Sequence, residues 1–276
     1  MNRPKIIFFG NGPLADAALE VFEKTCEVVF RAHNKEDLEE VKKLKSADKK
    51  GELHGVLASY GVMIKSDVLD LFEPEGILNI HPSKLPDLRG PSPIESAILR
   101  GDTEFYVSVM KLVPAMEAGP LYHQQKCNLP LVNPDFASPL AKANIYSTLA
   151  IMGAEWIANN LDKLPEPTPQ DDLDATYCEK LDKSMSILDP AHNTSAEILR
   201  KIVALSNWPK SKYTFLGHEC IIHSAHLAES HPDEDLPEYE ELSLKCTDGK
   251  TVYIDSLQPA GKKTMDSKSF LNGYKR

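Results

Sequence analysis

The stretch "ILNIHPSKLPDLRGPSPI" (Ile77–Ile94) reads as a short apolar strand that runs directly into an Asn, a His and a proline-rich loop. Side chains along a strand alternate, so Asn79 and His81, two positions apart, point to one face. Two polar side chains on one face at the end of an apolar strand are costly unless something uses them. Upstream and downstream the same rhythm recurs. "KIIFF" (Lys5–Phe9), "CEVVFRA" and "HGVLASY" (His54–Tyr60) read as strands, and "LADAALEVFEK" (Leu14–Lys24), "KEDLEEVKKLK", "SDVLDLF" and "SPIESAILRG" read as the helices between them. Such alternation builds a parallel sheet with helices on both faces, a Rossmann-like doubly wound α/β domain. "YVSVMKLV" and "GPLYHQQKCNLP" follow as two strands without an intervening helix, and a long helix over about 139–164 closes the unit.

Past this point the pattern changes. "PEPTPQDDLDAT" (Pro165–Thr176) has the composition of a linker. "TSAE" (Thr194–Glu197) is a capping-box pattern opening a helix. Four strand-like runs, "YTFL", "ECIIHSAHL", "ELSLKC" and "TVYIDSL", then suggest a small barrel or sandwich. The expected division is an α/β domain over 1–165, a linker over 166–183 and a small β domain over 184–276.

The 276 residues, 42% of them apolar, suffice for two domains with cores. No apolar run has membrane-spanning length, and the start lacks a signal peptide's cleavage pattern. Five scattered cysteines without paired-ligand spacing fit a reduced, cytoplasmic setting. The net charge of −10 argues against nucleic acid on average, but its distribution is uneven. From Ala191 onward, 11 Lys/Arg stand against 12 Asp/Glu, and seven of those acids crowd into Glu229–Glu241. The remainder can present a basic face to a polyanion.

Several motifs name rival functions. "GNGPLA" (Gly10–Ala15) after the first strand fits a dinucleotide fingerprint, but the second strand ends in "FRAHN" without the ribose-binding acid, and Pro13 removes an amide from the helix start. His218, His223, His226 and His231, with Cys220, raise the possibility of zinc; strand alternation places His223 and His226 on opposite faces, against a shared ion. No phosphate-loop spacing and no Gly-x-Ser-x-Gly elbow occurs. The remaining candidates are Asn79, His81 and Glu117 of "VPAMEAGPLY". In a parallel sheet, sites form beyond the carboxyl ends of the strands. An amide, an imidazole and a carboxylate converging there can donate to an oxyanion, shuttle a proton and hold the imidazole in place during acyl transfer.

With these residues the chain resembles the folate-dependent formyltransferase family. Asn79-x-His81, "SKLPDLRGPSPI" and the acidic "AMEAGP" turn carry the core of the likeness. "NWPKSKYTFLGHECII" and "SLQPAGKKTMDSKSFLNG" resemble the branch that acts on initiator methionyl-tRNA. The resemblance implies formyl transfer from 10-formyltetrahydrofolate, without a metal, to the α-amine of methionine on initiator tRNA, by a cytoplasmic monomer that binds no membrane. Asn79 would stabilise the oxyanion, His81 pass the proton, and Glu117 orient His81. The folate would lie along Tyr60, Gly61, Val62, Met63, Ile64, Ser83, Lys84, Leu85 and Pro86. Gly10, Asn11 and Arg89 would meet the acceptor, and Lys262 and Lys263 its phosphates. The domain over 1–165 would be catalytic, and that over 184–276 an OB-like β-barrel. An amino-sugar nucleotide is the alternative acceptor. Two departures from the family pattern stand out. Its acid in the turn is an aspartate, here Glu117. Its tRNA-specific members carry a long basic insertion where this chain has only Asn34–Leu53.

Overall fold

The computed structural model describes residues 3–128, 133–228 and 241–275. The acidic loop, apart from Glu241, and His231 lie outside them. The chain divides into two compact units that interleave along the sequence. The first comprises Met1–Pro93, Glu104–Leu129 and Ile145–Glu179, the second Ile94–Thr103, Pro130–Asn144 and Lys180–Arg276.

The first unit is built on β1 (Lys5–Phe9), β2 (Glu27–Ala32), β3 (Leu53–Leu57), β4 (Ile77–His81), β5 (Tyr106–Lys111) and β6 (Leu121–Lys126). Their order is β2-β1-β3-β4-β5-β6. The first four strands are parallel; β5 joins β4 antiparallel despite the helix between them, and β6 pairs β5 antiparallel, as expected for strands connected without a helix. The order reverses at β1 and β3, which opens a crevice at their carboxyl ends. The helices are α1 (Pro13–Thr25), α2 (Leu38–Ala47), the single turn α3 (Ser66–Leu69), α4 (Pro93–Arg100, mostly of the second unit) and α5 (Pro139–Asn160).

Apolar alternation sorts the two faces of the sheet. Ile7, Phe9, Leu57 and Ile77 join Val41 of α2 and Val68 of α3 in one core layer, with Phe9 edge-on to Phe72 and Tyr60. On the other face Phe8 meets Phe22 of α1, and α5 passes so close to Ile80 that a Cβ on Gly153 would lie 2.7 Å from it. Asn79 and His81 therefore share the face of Ile77. The linker-like stretch is pinned to this unit: Thr168 bridges Leu121, and Tyr177 bridges Arg89. Its many polar side chains explain why composition alone reads it as a tether.

The second unit carries an antiparallel sheet of β10 (Ser243–Lys245), β11 (Thr251–Pro259), β9 (His218–Leu227) and β7 (Phe136–Ala137), with β12 (Met265–Asp266) on β11 and β8 (Ser211–Phe215) on β9. Helix α6 (Ser195–Ala204) starts at the expected capping box of Thr194 and Glu197 and buries Ile198, Leu199, Ile202 and Val203; α7 (Ser267–Tyr274) follows β12. No helix among the described residues is long and apolar enough to cross a membrane.

Candidate active site

Strand β4 is buried along its whole length, including Asn79 and His81, each 3% exposed. Buried polar groups need partners, and the structure supplies them. Asn79 Nδ2 donates to Glu117 Oε2 at 2.9 Å. The same oxygen lies 3.6 Å from His81 Nδ1, within ion-pair range but long for a hydrogen bond. His81 Nε2 lies 3.1 Å from the carbonyl oxygen of Leu88. A carbonyl can only accept, so Nε2 carries the hydrogen and Nδ1 is the nitrogen free to exchange a proton beside Glu117. The ring is thus oriented by a backbone carbonyl, where the sequence pointed to the carboxylate. Leu88 sits at φ +57°, a left-handed conformation that nothing in its residue type signals.

Glu117 also has a positive φ, +49°. Its turn is tight: a Cβ on Gly119 would fall 1.8 Å from the carbonyl oxygen of Lys111. This close approach makes glycine obligatory there.

The loop residues expected to hold folate divide by orientation. Tyr60 is buried in the core layer with its hydroxyl on the carbonyl of Asn34, and burial with Asp37 and Glu36 nearby pushes its pKa up to about 12. Ile64 is likewise buried, while Met63 is 78% exposed. The backbone groups of Gly61, Val62 and Met63 pair with no other backbone group among the described residues. They suit a flat heterocycle bonded through the main chain. Ser83 and Leu85 are tied internally: Ser83 Oγ donates to the carbonyl of Asp87 at 2.6 Å, Ser108 Oγ to that of Ser83 at 2.7 Å, and Gln124 Nε2 to that of Leu85 at 2.8 Å. Lys84 is exposed over the Tyr106 ring, and Pro86 is half-buried.

Gly10 and Asn11 end β1 at the crevice. Gly10 has no room for a side chain, since a Cβ would meet the carbonyl oxygen of Ala58 at 2.3 Å, and Asn11 binds His33 through both its amide atoms. Arg89 departs from its expected place against the acceptor. It is 2% exposed, and its guanidinium binds Gln170 and Asp172 inside the unit. Lys262 and Lys263 are exposed at the turn between β11 and β12 of the second unit. The histidines of β9 go to separate partners, His223 to Gln258 and Thr264, His226 to Asp255.

Comparison with known proteins gives this geometry a context. The model of the formyl transferase family matches residues 11–134, and that of the formyl transferase C-terminal domain matches residues 180–275. The methionyl-tRNA formyltransferase of Borrelia hermsii is 34% identical over 227 residues, 78% of this chain and 70% of that protein. The chain belongs to the formyltransferase family. Its fold is shared with HypX from Aquifex aeolicus, solved in complex with tetrahydrofolic acid (TM-score 0.70, 20% identity, 98% of this chain and 47% of that one). It is shared also with the methionyl-tRNA formyltransferase of Clostridium thermocellum (TM-score 0.63, 17% identity, 93% and 98%). In this formyltransferase, Asn79, His81 and Glu117 form a polar cluster at the carboxyl end of β4.

Proposed function

We propose that the chain transfers the formyl group of 10-formyltetrahydrofolate to the α-amine of methionine on initiator tRNA. The observation that carries this reading is the convergence of Asn79, His81 and Glu117 on one carboxylate oxygen at the end of β4, in a chain 34% identical to a methionyl-tRNA formyltransferase. The amine nitrogen attacks the formyl carbon and the carbonyl electrons move onto oxygen, giving a tetrahedral oxyanion. The Asn79 amide is the donor for that oxygen, a contact worth roughly 3 kcal/mol in acyl transfer. The proton released by the attacking nitrogen passes to Nδ1 of His81, opposite the fixed Nε2–H, and from there to the folate nitrogen as its bond to the formyl carbon breaks. Glu117 supplies negative charge beside Nδ1 while that proton is held there. Gly61, Val62 and Met63 hold the pterin through their backbone groups.

We assign catalysis to 1–165, the connection to 166–183 and tRNA binding to an OB-like domain over 184–276, with Lys262 and Lys263 among its phosphate contacts. All five cysteines are free thiols, which fits a cytoplasmic setting.

The test is formyl transfer from 10-formyltetrahydrofolate to initiator Met-tRNA, beside His81→Ala. Transfer that drops about 10²–10⁴-fold in the variant supports the reading. Absence of transfer to Met-tRNA, with transfer to an amino-sugar nucleotide, would replace the acceptor and keep the chemistry.

A further inference from the structure

The turn that holds Glu117 is bound by a residue no motif points to. Gln170, in the strap across the first unit, donates both hydrogens of its amide: Nε2 lies 2.8 Å from the carbonyl oxygen of Glu117 and 2.7 Å from that of Gly119. Its Oε1 accepts from Arg89, at 3.2 Å from Nε and 2.9 Å from Nη2. The arrangement has one sense only. Turning the amide over would set its hydrogens against the guanidinium and its oxygen against two carbonyls. Arg89 is itself fixed at both ends. Its guanidinium binds Asp172 at 2.8 Å, while its backbone donates to Thr176 and accepts from Cys178, each at 2.9 Å.

We propose that Gln170, locked by Arg89, is the positioning residue that sets the Glu117 carboxylate against Asn79 and His81. The inference rests on the reading of those three as catalytic, and it explains how a glutamate can stand where the family pattern has an aspartate. A non-glycine residue in the left-handed region is held there by its surroundings at a cost of order 1–3 kcal/mol. Here the surroundings grip the peptide on both sides of the turn: the carbonyls of residues 117 and 119 are drawn to one amide. That grip swings the longer side chain so that Oε2 arrives 2.9 Å from Asn79 Nδ2. Without it the turn relaxes toward ordinary backbone angles and the carboxylate leaves its place. Gln170 touches no reacting atom; its effect passes through Glu117.

The experiment is a double-mutant cycle with initiator Met-tRNA as acceptor. Gln170→Ala should lower kcat roughly 10²-fold, the scale of a 1 Å misplacement, with KM for 10-formyltetrahydrofolate within about twofold of the parent. Gln170→Glu keeps the acceptor for Arg89 and removes the donors; it should fold normally and show the same loss. In a Glu117→Ala background, Gln170→Ala should cost less than about twofold more, because the group it positions is gone. A full second loss in that background, or a change confined to KM, overturns the proposal. If the parent protein transfers no formyl group to any acceptor, the functional reading fails separately. The crystal structure of Gln170→Ala then decides the positioning: a Glu117 carboxylate that has left Asn79 supports it, and one that has stayed overturns it.

Discussion

Glu117 reaches Asn79 from a left-handed turn with a side chain one methylene longer than an aspartate. Shortening it in place withdraws the carboxylate by about one bond, near 1.5 Å, while the turn, gripped from both carbonyls, does not follow. Glu117→Asp is therefore expected to lower kcat/KM for Met-tRNA formylation by roughly 10²-fold, even though it restores the family's residue type. Equal or faster turnover would show that the turn is not matched to glutamate. At this scale the sequence reveals side chains and hides backbone. Asn79 and His81 were legible because strand alternation puts them on one face, and Glu117 because it is the acid of a small-residue turn. The carbonyl of Leu88 was not, since which way a peptide faces in a proline-rich loop depends on the folded loop. Arg89, which the resemblance set against the acceptor, is instead buried with Gln170 and Asp172, a burial that its residue type does not signal.

Between elements, polar side chains set geometry that hydrophobic periodicity leaves open. Asp48, at the end of α2, accepts from the amides of Leu53 at 2.9 Å and Glu52 at 3.1 Å and pairs with Lys45 at 3.1 Å, fixing how α2 enters β3. Burial opposes its charge, but the Leu53 amide, Lys45 and the Glu52 amide together outweigh it and hold the carboxyl below its ordinary value of 3.8. A depressed folded-state pKa means the contribution is complete above that ordinary value and is lost as pH falls through the depressed one. Asp48→Asn should thus lower Tm by about 2–4 °C near pH 7, and the gap to the parent should close as melts are taken below pH 3.8. A gap independent of pH would assign the effect to packing. In the second unit, Lys142 of α5 is buried against Glu95 of α4 at 3.2 Å and the carbonyl oxygen of Ala204 on α6 at 2.7 Å. Lys142→Met leaves a buried carboxylate without its cation and should cost about 3–5 kcal/mol in urea unfolding; an unchanged midpoint would rule that out. Helices α1 to α6 were legible in the sequence. β7 and β12, two residues each, offer no period to detect, and the glycine in "SKSFLNGY" obscures α7.

Across the whole chain the charge problem is how a protein of net charge −10 takes a polyanion. Phosphate contacts depend on local cations, because beyond about 8 Å at physiological salt other surface charges are screened. The turn carrying Lys262 and Lys263 is exposed, with no acid between Ala260 and Thr264 to neutralise it. Each phosphate neutralised by a lysine releases counterions, so the logarithm of the association constant falls linearly with the logarithm of salt concentration, by about 0.7–0.9 per contact. If both lysines contact the acceptor, the paired substitution Lys262→Ala with Lys263→Ala should flatten that slope by roughly 1.5 and weaken binding of initiator Met-tRNA most at low salt. The affinity for 10-formyltetrahydrofolate, whose expected binding loop lies in the other unit, should not change. Titrations of Met-tRNA at several salt concentrations check this. A parallel drop at every concentration, with the slope unchanged, would mean that these lysines act through the fold of the second sheet and not on phosphate.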